Sequence, residues 1–492
     1  NMTKLLKFIL PLAVMLSAFS GCNNIINDNS QQSQETTSQT ASETVSETTA
    51  EQAEAKKELK GDMTIRKAYK LPDLGRNVVE NTPTLIGNKA IVGIKTGEAL
   101  AKYNVSDEVN DYELGIYPID IVAVDGITGE KKIVYSDVML DSYSITPGND
   151  EKTAYIEYCD KTNMADMATA KTMEDVQKHK RVIKLDLENA SHKELDFSKY
   201  DGTNFTIHPI GKNKLVIEQF EYVTATEKDF EGRNVEFNDE DSTVESRAID
   251  IMDLNSGKIE NFFYDKMNLY SLIPGEKKIG SFSNYFSYYD DTVIYNTEEV
   301  TADNADKVGF QVYDENMNLV YEDVVDSIDN YKNGFINLYT IISNGDIYVF
   351  SNKYIENAGG DTKKIESYYI YHKKGNTYEK TQASPTSDND PSSYQFIKKT
   401  HPEINYGMVQ ITDGRPATCT QLQLFNCCTG EELFLDIDIE GLKIPYFIYQ
   451  NLGINNDGSG NMIVLGDNPD GEAAFEYWFV PKEEIKRALY GE

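Results

Sequence analysis

The chain has 492 residues, with 47 Lys and Arg against 81 Asp and Glu, a net charge of −34. A field of that sign repels phosphate backbones and anionic lipid headgroups, so nucleic acid and direct headgroup binding are disfavoured. With 32 Tyr and 20 Phe but one Trp, the composition points to strands, because aromatic rings fit a half-buried pleated face.

Residues 1–21 read as an export signal. Lys4 and Lys7 precede the apolar run FILPLAVMLSAF, and Ser20, Gly21 and Cys22 follow it. The run is shorter than the roughly 20 apolar residues that span a bilayer, and small residues mark a cleavage point. Phe19-Ser20-Gly21-Cys22 resembles a bacterial lipobox. The resemblance implies a lipid on the sulfur of Cys22, cleavage before it, and a site on the outer face of the cytoplasmic membrane. Phe19 stands where Leu, Val or Ile is usual.

Residues 22–60 follow as a tether. The stretch DNSQQSQETTSQTASETVSETTAEQAEA is rich in Ser, Thr, Gln and Glu and nearly free of aliphatics. It buries too little apolar area to offset the entropy of ordering, so the expectation is a disordered spacer.

From residue 61 one pattern recurs. A short apolar strand follows a turn, as in AIVGI (90–94), TAYIEY (153–158), KLVIEQF (214–220), DTVIYN (291–296), DIYVFSN (346–352), GMVQITD (407–413) and NMIVLGD (461–467). After a variable gap comes a hairpin, such as IDIVAVDGITGEKKIVY (119–135) or AIDIMDLNSGKIENFFY (248–264). Gly129, Gly257, Gly375 and Gly430 mark four of these turns, where a residue with φ > 0 is tolerated. Unmarked turns fall near Ala190 and Met317. A further apolar segment precedes each first strand, for example NFTIHP (204–209).

Four strands per unit at about 60 residues, seven times over, predicts an all-β seven-bladed β-propeller of four-stranded antiparallel blades across 61–492. Six or eight blades, or two stacked sandwiches, are the alternatives. The last unit lacks its outermost strand. PKEEIKRALY (481–490) reads as a short C-terminal helix entered at Pro481, and MTIRKAYKL (63–71) is expected to supply the missing strand. The pattern is similar in architecture to the seven-bladed propeller lipoproteins of Gram-positive bacteria. No Gly-His…Trp-Asp pair, sialidase-type Asp box or quinone-propeller Trp pattern accompanies it, so no catalytic residue is carried over.

Motif chemistry is sparse. The five histidines have no metal-ligand spacing, no nucleophile elbow or Walker loop occurs, and no metal or cofactor is expected. Cysteines beyond Cys22 show no disulfide framework. His208 ends an apparent inner strand and is a candidate for the central channel. Long insertions at 96–117, 160–180 and 223–247 are expected to wall one face. Tyr112 and Tyr117 in the first, and Phe230 and Phe237 in the acidic third, are candidate ligand-face residues. The leading expectation is a lipid-anchored, non-catalytic binding protein for a cell-wall, glycan, cation or secreted-protein partner. The alternatives are a polysaccharide- or peptide-acting hydrolase or lyase on the same scaffold, and an importer's solute-binding lipoprotein.

Overall fold

The computed structural model describes residues 58–75, 77–79, 83–106, 111–150, 152–160, 172, 175, 176, 178–224, 226–230, 243–265, 284–289, 291–297, 299–301, 307–327, 334–343, 345–356, 362–383, 394, 395, 407, 408, 410, 411, 421–426, 431–442, 447–450, 460–466 and 475–492. Cys22 and the tether core lie outside this set. The chain divides into two units, Asn1–Glu58 and Leu59–Glu492, and every described strand belongs to the second.

That unit is mostly strand. Seven sheets of four or five strands follow one another along the chain, with one further two-stranded pairing, Tyr394–Gln395 with Gln410–Ile411. The second sheet is Ser144–Pro147, Thr153–Tyr158, Arg181–Asp186 and Ser191–Leu195, in sequential antiparallel order. The third is Phe205–Ile210, Lys214–Thr224, Thr243–Asp253 and Ile259–Asp265. The fourth is Asn284–Tyr289, Thr292–Thr297, Lys307–Asp314 and Leu319–Ser327. The fifth gains an extra edge strand, Glu299–Thr301, and so departs from the four-strand expectation.

The second strands explain why the apolar runs are continuous rather than alternating. Leu215, Val216 and Ile217 are all fully buried. Leu215 and Ile217 pack with Tyr155, Val182 and Phe205 between the second and third sheets. Val216 packs with Phe286, Val293 and Tyr295 between the third and fourth. A sheet covered on both faces needs apolar residues at every position, and each such side chain contributes about 1.5–3 kcal/mol on burial. The same layering joins the first sheet to the second through Ile121, Val134, Ile156 and Ile183, and the fourth to the fifth through Ile294, Phe310, Leu338 and Val349. Leu424 and Leu435 of the sixth meet Trp478 and Val480 of the seventh, and Tyr477 and Phe479 of the seventh meet Ala90, Val92 and Val124 of the first. Among the described residues no cluster spans the fifth and sixth sheets.

Four of the outer hairpins turn on an aspartate. Asp125, Asp186, Asp253 and Asp314 each accept the backbone N–H two residues on, and a second one residue or two beyond. A left-handed residue then closes the turn: Gly129 and Gly257 at φ 72°, Ala190 at 53° and Met317 at 59°. The turn at Ala190 is therefore built like the glycine ones, whereas Met317 comes one position earlier after its aspartate.

The segment expected as one closing strand is split. Tyr69–Lys70 pairs antiparallel with Phe479 and Trp478 and is the fourth strand of the seventh sheet. Thr64–Ile65 instead pairs in parallel with Asp436 and Ile437 of the sixth. Between them the backbone N–H groups of Arg66 and Lys67 turn to the Glu484 carboxylate at 2.7 and 3.2 Å. Glu484 belongs to the helix Lys482–Tyr490, which starts directly after Pro481 and ends at a left-handed Gly491. Lys60, Gly61 and Met63 donate to carbonyls of that helix's last turn, and a Cβ on Gly61 would sit 1.9 Å from the Ala488 oxygen.

Of the three expected insertions, 96–117 is a β-hairpin rather than an irregular loop. Ala101–Ser106 pairs with the first part of the long strand Asp111–Asp125, on the edge where Lys89–Lys95 also pairs further along. The third contains a short helical turn, Glu227–Phe230. Residues 161–171 and 231–242 lie outside the described set.

Candidate functional site

Polar groups gather where the first strand of the third sheet meets the first strand of the fourth. Register places Thr206 opposite Glu218 and His208 opposite Val216, so Thr206, His208 and Glu218 share the face turned to the fourth sheet, where Val216 packs. From the fourth sheet Tyr288 stacks on the His208 ring, centroids 4.1 Å apart and planes 18° apart. The Tyr288 hydroxyl donates to Glu218 Oε2 at 3.3 Å. His208 Nε2 lies 3.3 Å from the same oxygen and 3.3 Å from Thr206 Oγ1. Arg247, on the third strand, brings Nε to 3.7 Å from Glu218 Oε1.

Glu218 and Arg247 are each 6% exposed, whereas the His208 side chain keeps 24% of its surface. The buried carboxylate is tolerable because a guanidinium, a phenol and an imidazole surround it. Burial, together with the Glu218 charge, pushes the Tyr288 phenol well above its ordinary range. Tyr288 therefore keeps its proton at neutral pH, and the His208 ring, bonded to the same carboxylate, keeps part of its surface in solvent.

A phenol–carboxylate contact recurs at neighbouring junctions. Tyr158 donates to Asp137 at 2.6 Å between the second and first sheets, Tyr200 to Asp250 at 2.7 Å, and Tyr371 to Asp323 at 2.7 Å between the fifth and fourth. Those carboxylates are completed by Arg181, Lys199 with Asn261, and Lys380 respectively. Joining sheets in this way is architecture. Between the third and fourth sheets His208 reaches the carboxylate itself, whereas between the first and second His192 packs edge-on against Tyr135, centroids 4.9 Å apart.

Of the other candidates, Tyr117 does not join this group. Tyr117 lies on the first sheet, half-buried, with Lys95 Nζ 3.9 Å above its ring and Lys95 paired to Asp141 at 2.7 Å. Tyr112 lies in the strand Asp111–Asp125 and Phe230 in the turn Glu227–Phe230, but their side chains, like the whole of Phe237, are outside the described residues. The sequence reading missed Glu218, Arg247 and Tyr288. One signal was present: Glu157 in TAYIEY and Glu218 in KLVIEQF occupy the same place in their strands. Among the described residues no group of three His, Cys, Asp or Glu is placed to hold a metal ion, and no helix is long and apolar enough to cross a membrane.

No family model and no curated protein matches the chain. Among solved structures it is similar to the polysaccharide lyase Uly1, at 9% identity and TM-score 0.39, over 85% of this chain and 92% of that one. It is also similar to a puromycin-hydrolysing peptidase of Mycobacterium tuberculosis, at 10% identity and TM-score 0.30, over 84% of this chain and 61% of that one. A third is the acylaminoacyl peptidase of Pyrococcus horikoshii, at 14% and 0.31, over 84% and 60%. The chain thus spans about three-fifths of either peptidase. All three TM-scores lie below 0.5, and such loose likenesses assign no activity.

Proposed function

We propose that the chain is an extracellular propeller enzyme that acts on a polysaccharide or peptide by proton transfer, as a lyase or hydrolase, at the His208–Tyr288–Glu218 group. The observation that carries this reading is a buried carboxylate 3.3 Å from both an imidazole nitrogen and a phenol, on the first strands of adjacent sheets. His208 would accept a proton and Tyr288 return one to the leaving group. The sheet-joining contact does not require His208, since Asp137, Asp250 and Asp323 are held without a histidine.

In this proposal the seven sheets are the blades of a closed seven-bladed β-propeller. Support comes from apolar clusters that link successive sheets and from one that links the seventh back to the first. The lipid on Cys22 and residues 22–60 would hold the domain at the outer face of the cytoplasmic membrane, beside cell-wall glycans and secreted proteins. That part rests on the basic, apolar and small residues around Cys22.

A second reading, binding without catalysis, draws on the first-sheet hairpin. Its base is fixed by Lys95, Tyr117 and Asp141, with Asp141 Oδ1 also accepting Gly115 N–H at 2.9 Å. Such an arm suits recognition on a rigid scaffold.

The deciding experiment uses the domain from residue 59 onward against panels of cell-wall polysaccharides and peptides. Turnover should fall ~10²–10⁴-fold in His208→Ala and Tyr288→Phe, with both variants still folded, though each is less stable by about 1–3 kcal/mol for the partner that buried Glu218 loses. Full activity in both variants would remove this group from the account. Ligand capture with no turnover on any substrate would favour binding alone.

A further inference from the structure

The third sheet's polar group has a counterpart one sheet earlier, and the pair together separate scaffold from function. Glu157 and Glu218 are each the fifth residue of a second strand, Thr153–Tyr158 and Lys214–Thr224. Each faces a hydroxyl residue on the first strand: Ser144 is opposite Glu157, and Thr206 is opposite Glu218. Each meets a cation two positions further along the ladder. Lys180 directly precedes Arg181, the partner of Tyr158, and Arg247 is the partner of Phe220. Lys180 Nζ lies 3.5 Å from Glu157, and Arg247 Nε lies 3.7 Å from Glu218. Both pairs are withdrawn from solvent, at 10% and 5% side-chain exposure in the second sheet and 8% and 8% in the third.

The two trios differ in what the next sheet presents. Over Lys180 it is the apolar ring of Phe205, at 4.9 Å. Over Glu218 it is Tyr288, and the third sheet's own His208 fills the space between. Hydroxyl, carboxylate and cation are thus a repeated module, to which the third junction adds an imidazole and a phenol.

We infer that Glu218 and Arg247 are positioning residues that hold His208 with its proton on Nε2 and leave Nδ1 as the nitrogen that accepts a proton. An ionised carboxylate has only acceptor sites. With Oε2 at 3.3 Å from Nε2, an N–H at that position is attracted and a lone pair repelled. Thr206 Oγ1, 3.3 Å from the same nitrogen, has acceptor capacity for the same proton. Arg247 Nε stands 3.7 Å from the other oxygen of Glu218, and the Tyr288 stack keeps the ring from turning over. The nitrogen away from the carboxylate is then the basic one, the arrangement by which a second group selects a histidine tautomer.

The inference rests on the proposed role of His208 for its catalytic meaning, but its test does not. Two-bond ¹H–¹⁵N correlation on the ¹⁵N-labelled domain from residue 59 reads the tautomer directly, with His208 assigned by its loss in His208→Gln. The neutral ring should show Nε2 protonated and Nδ1 bare. Glu218→Gln should abolish that single pattern, Arg247→Lys should keep it, and Glu157→Gln, which alters the counterpart trio, should leave it unchanged. A proton on Nδ1 in the parent, or an unaltered pattern in a folded Glu218→Gln, would overturn the inference. If the tautomer is as stated and no substrate is turned over, the enzymatic reading falls and the positioning stands. Where turnover is found, Glu218→Gln should lower kcat by about 10²-fold with little change in KM.

Discussion

The junction between the first and second sheets and the junction between the third and fourth are built from the same kinds of group, yet they have opposite characters. At the first, Asp137 accepts from Tyr158 and Tyr135, and Arg181 spends its guanidinium on Glu194 at 2.8 Å through two nitrogens, on Asp160 at 2.5 Å and on Asp137 at 3.3 Å. The carboxylates and the guanidinium all answer one another. At the other junction Glu218 holds the same kind of phenol contact, but His208 keeps part of its ring in solvent and a nitrogen turned from the carboxylate. A saturated network joins two sheets, whereas one with an imidazole left partly in solvent at its edge suits the proposed chemistry.

The largest test of that contrast is Arg181→Met. It would take the Arg181 guanidinium away from Asp160, 4% exposed, and from Asp137. Breaking one side of a buried ion network costs about 3–5 kcal/mol, and the partial exposure of Arg181 favours the lower figure. Urea unfolding should show that loss while the His208 tautomer stays as in the parent. A destabilisation below about 1 kcal/mol, the usual worth of an exposed pair, would mean the first junction is not the closed network described. A change in the tautomer would mean that the two junctions are coupled.

Acid sharpens the comparison next. Burial alone would raise the Asp137 pKa, but hydrogen bonds from Tyr158, the Val138 N–H and Tyr135, with the Arg181 charge, hold it below 3.8. At the chain ends, burial is likewise outweighed at Glu484 by hydrogen bonds from Arg487 and the Arg66 N–H, and its pKa lies below 4.5. Both groups have folded values below their unfolded ones. Their stabilisation is therefore complete above the unfolded values and is lost as pH falls through the folded ones. Melting temperature should drop steeply below about pH 4. In Glu484→Gln the domain should start less stable at neutral pH, by about 2 kcal/mol for charged hydrogen bonds lost, and lose less on acidification. Parallel pH curves for parent and variant would show that Glu484 does not gather the split N-terminal segment.

These tests rest on features of unequal visibility in the sequence. The strands were legible because a sheet covered on both faces needs runs such as Leu215-Val216-Ile217, and turn glycines punctuate them. The C-terminal helix was legible from Pro481 and the poor alternation after it. The break in 63–71 was not, because it depends on a carboxylate more than four hundred positions away. His208 was visible as an inner-strand histidine. Its partners were hidden, since Glu218 is one of 81 acidic residues and meets Tyr288 only through the stacking of two sheets. Their significance lies in register, which composition and motif searches do not see. Tyr117 drew attention through its insertion, and its ring instead seats Lys95 at the base of a hairpin.

The smallest expected effect compares the outer turns of the second and third sheets. Ala190 and Gly257 hold the same left-handed position, at φ 53° and 72°, after Asp186 and Asp253 accept the same two N–H groups. A Cβ at Gly257 would meet nothing within 4 Å, so Gly257→Ala isolates the backbone cost, about 1 kcal/mol or slightly more. Ala190→Gly should recover about 0.5 kcal/mol. Relief of that strain is offset by the greater freedom glycine gives the unfolded chain and by the lost methyl, which packs against the cluster of Ile121 and Ile156. Chemical unfolding of the two variants should move in opposite directions. Equal shifts of one sign would mean that the two turns are not equivalent, and that the repeat relating the second sheet to the third stops short of their outer edges.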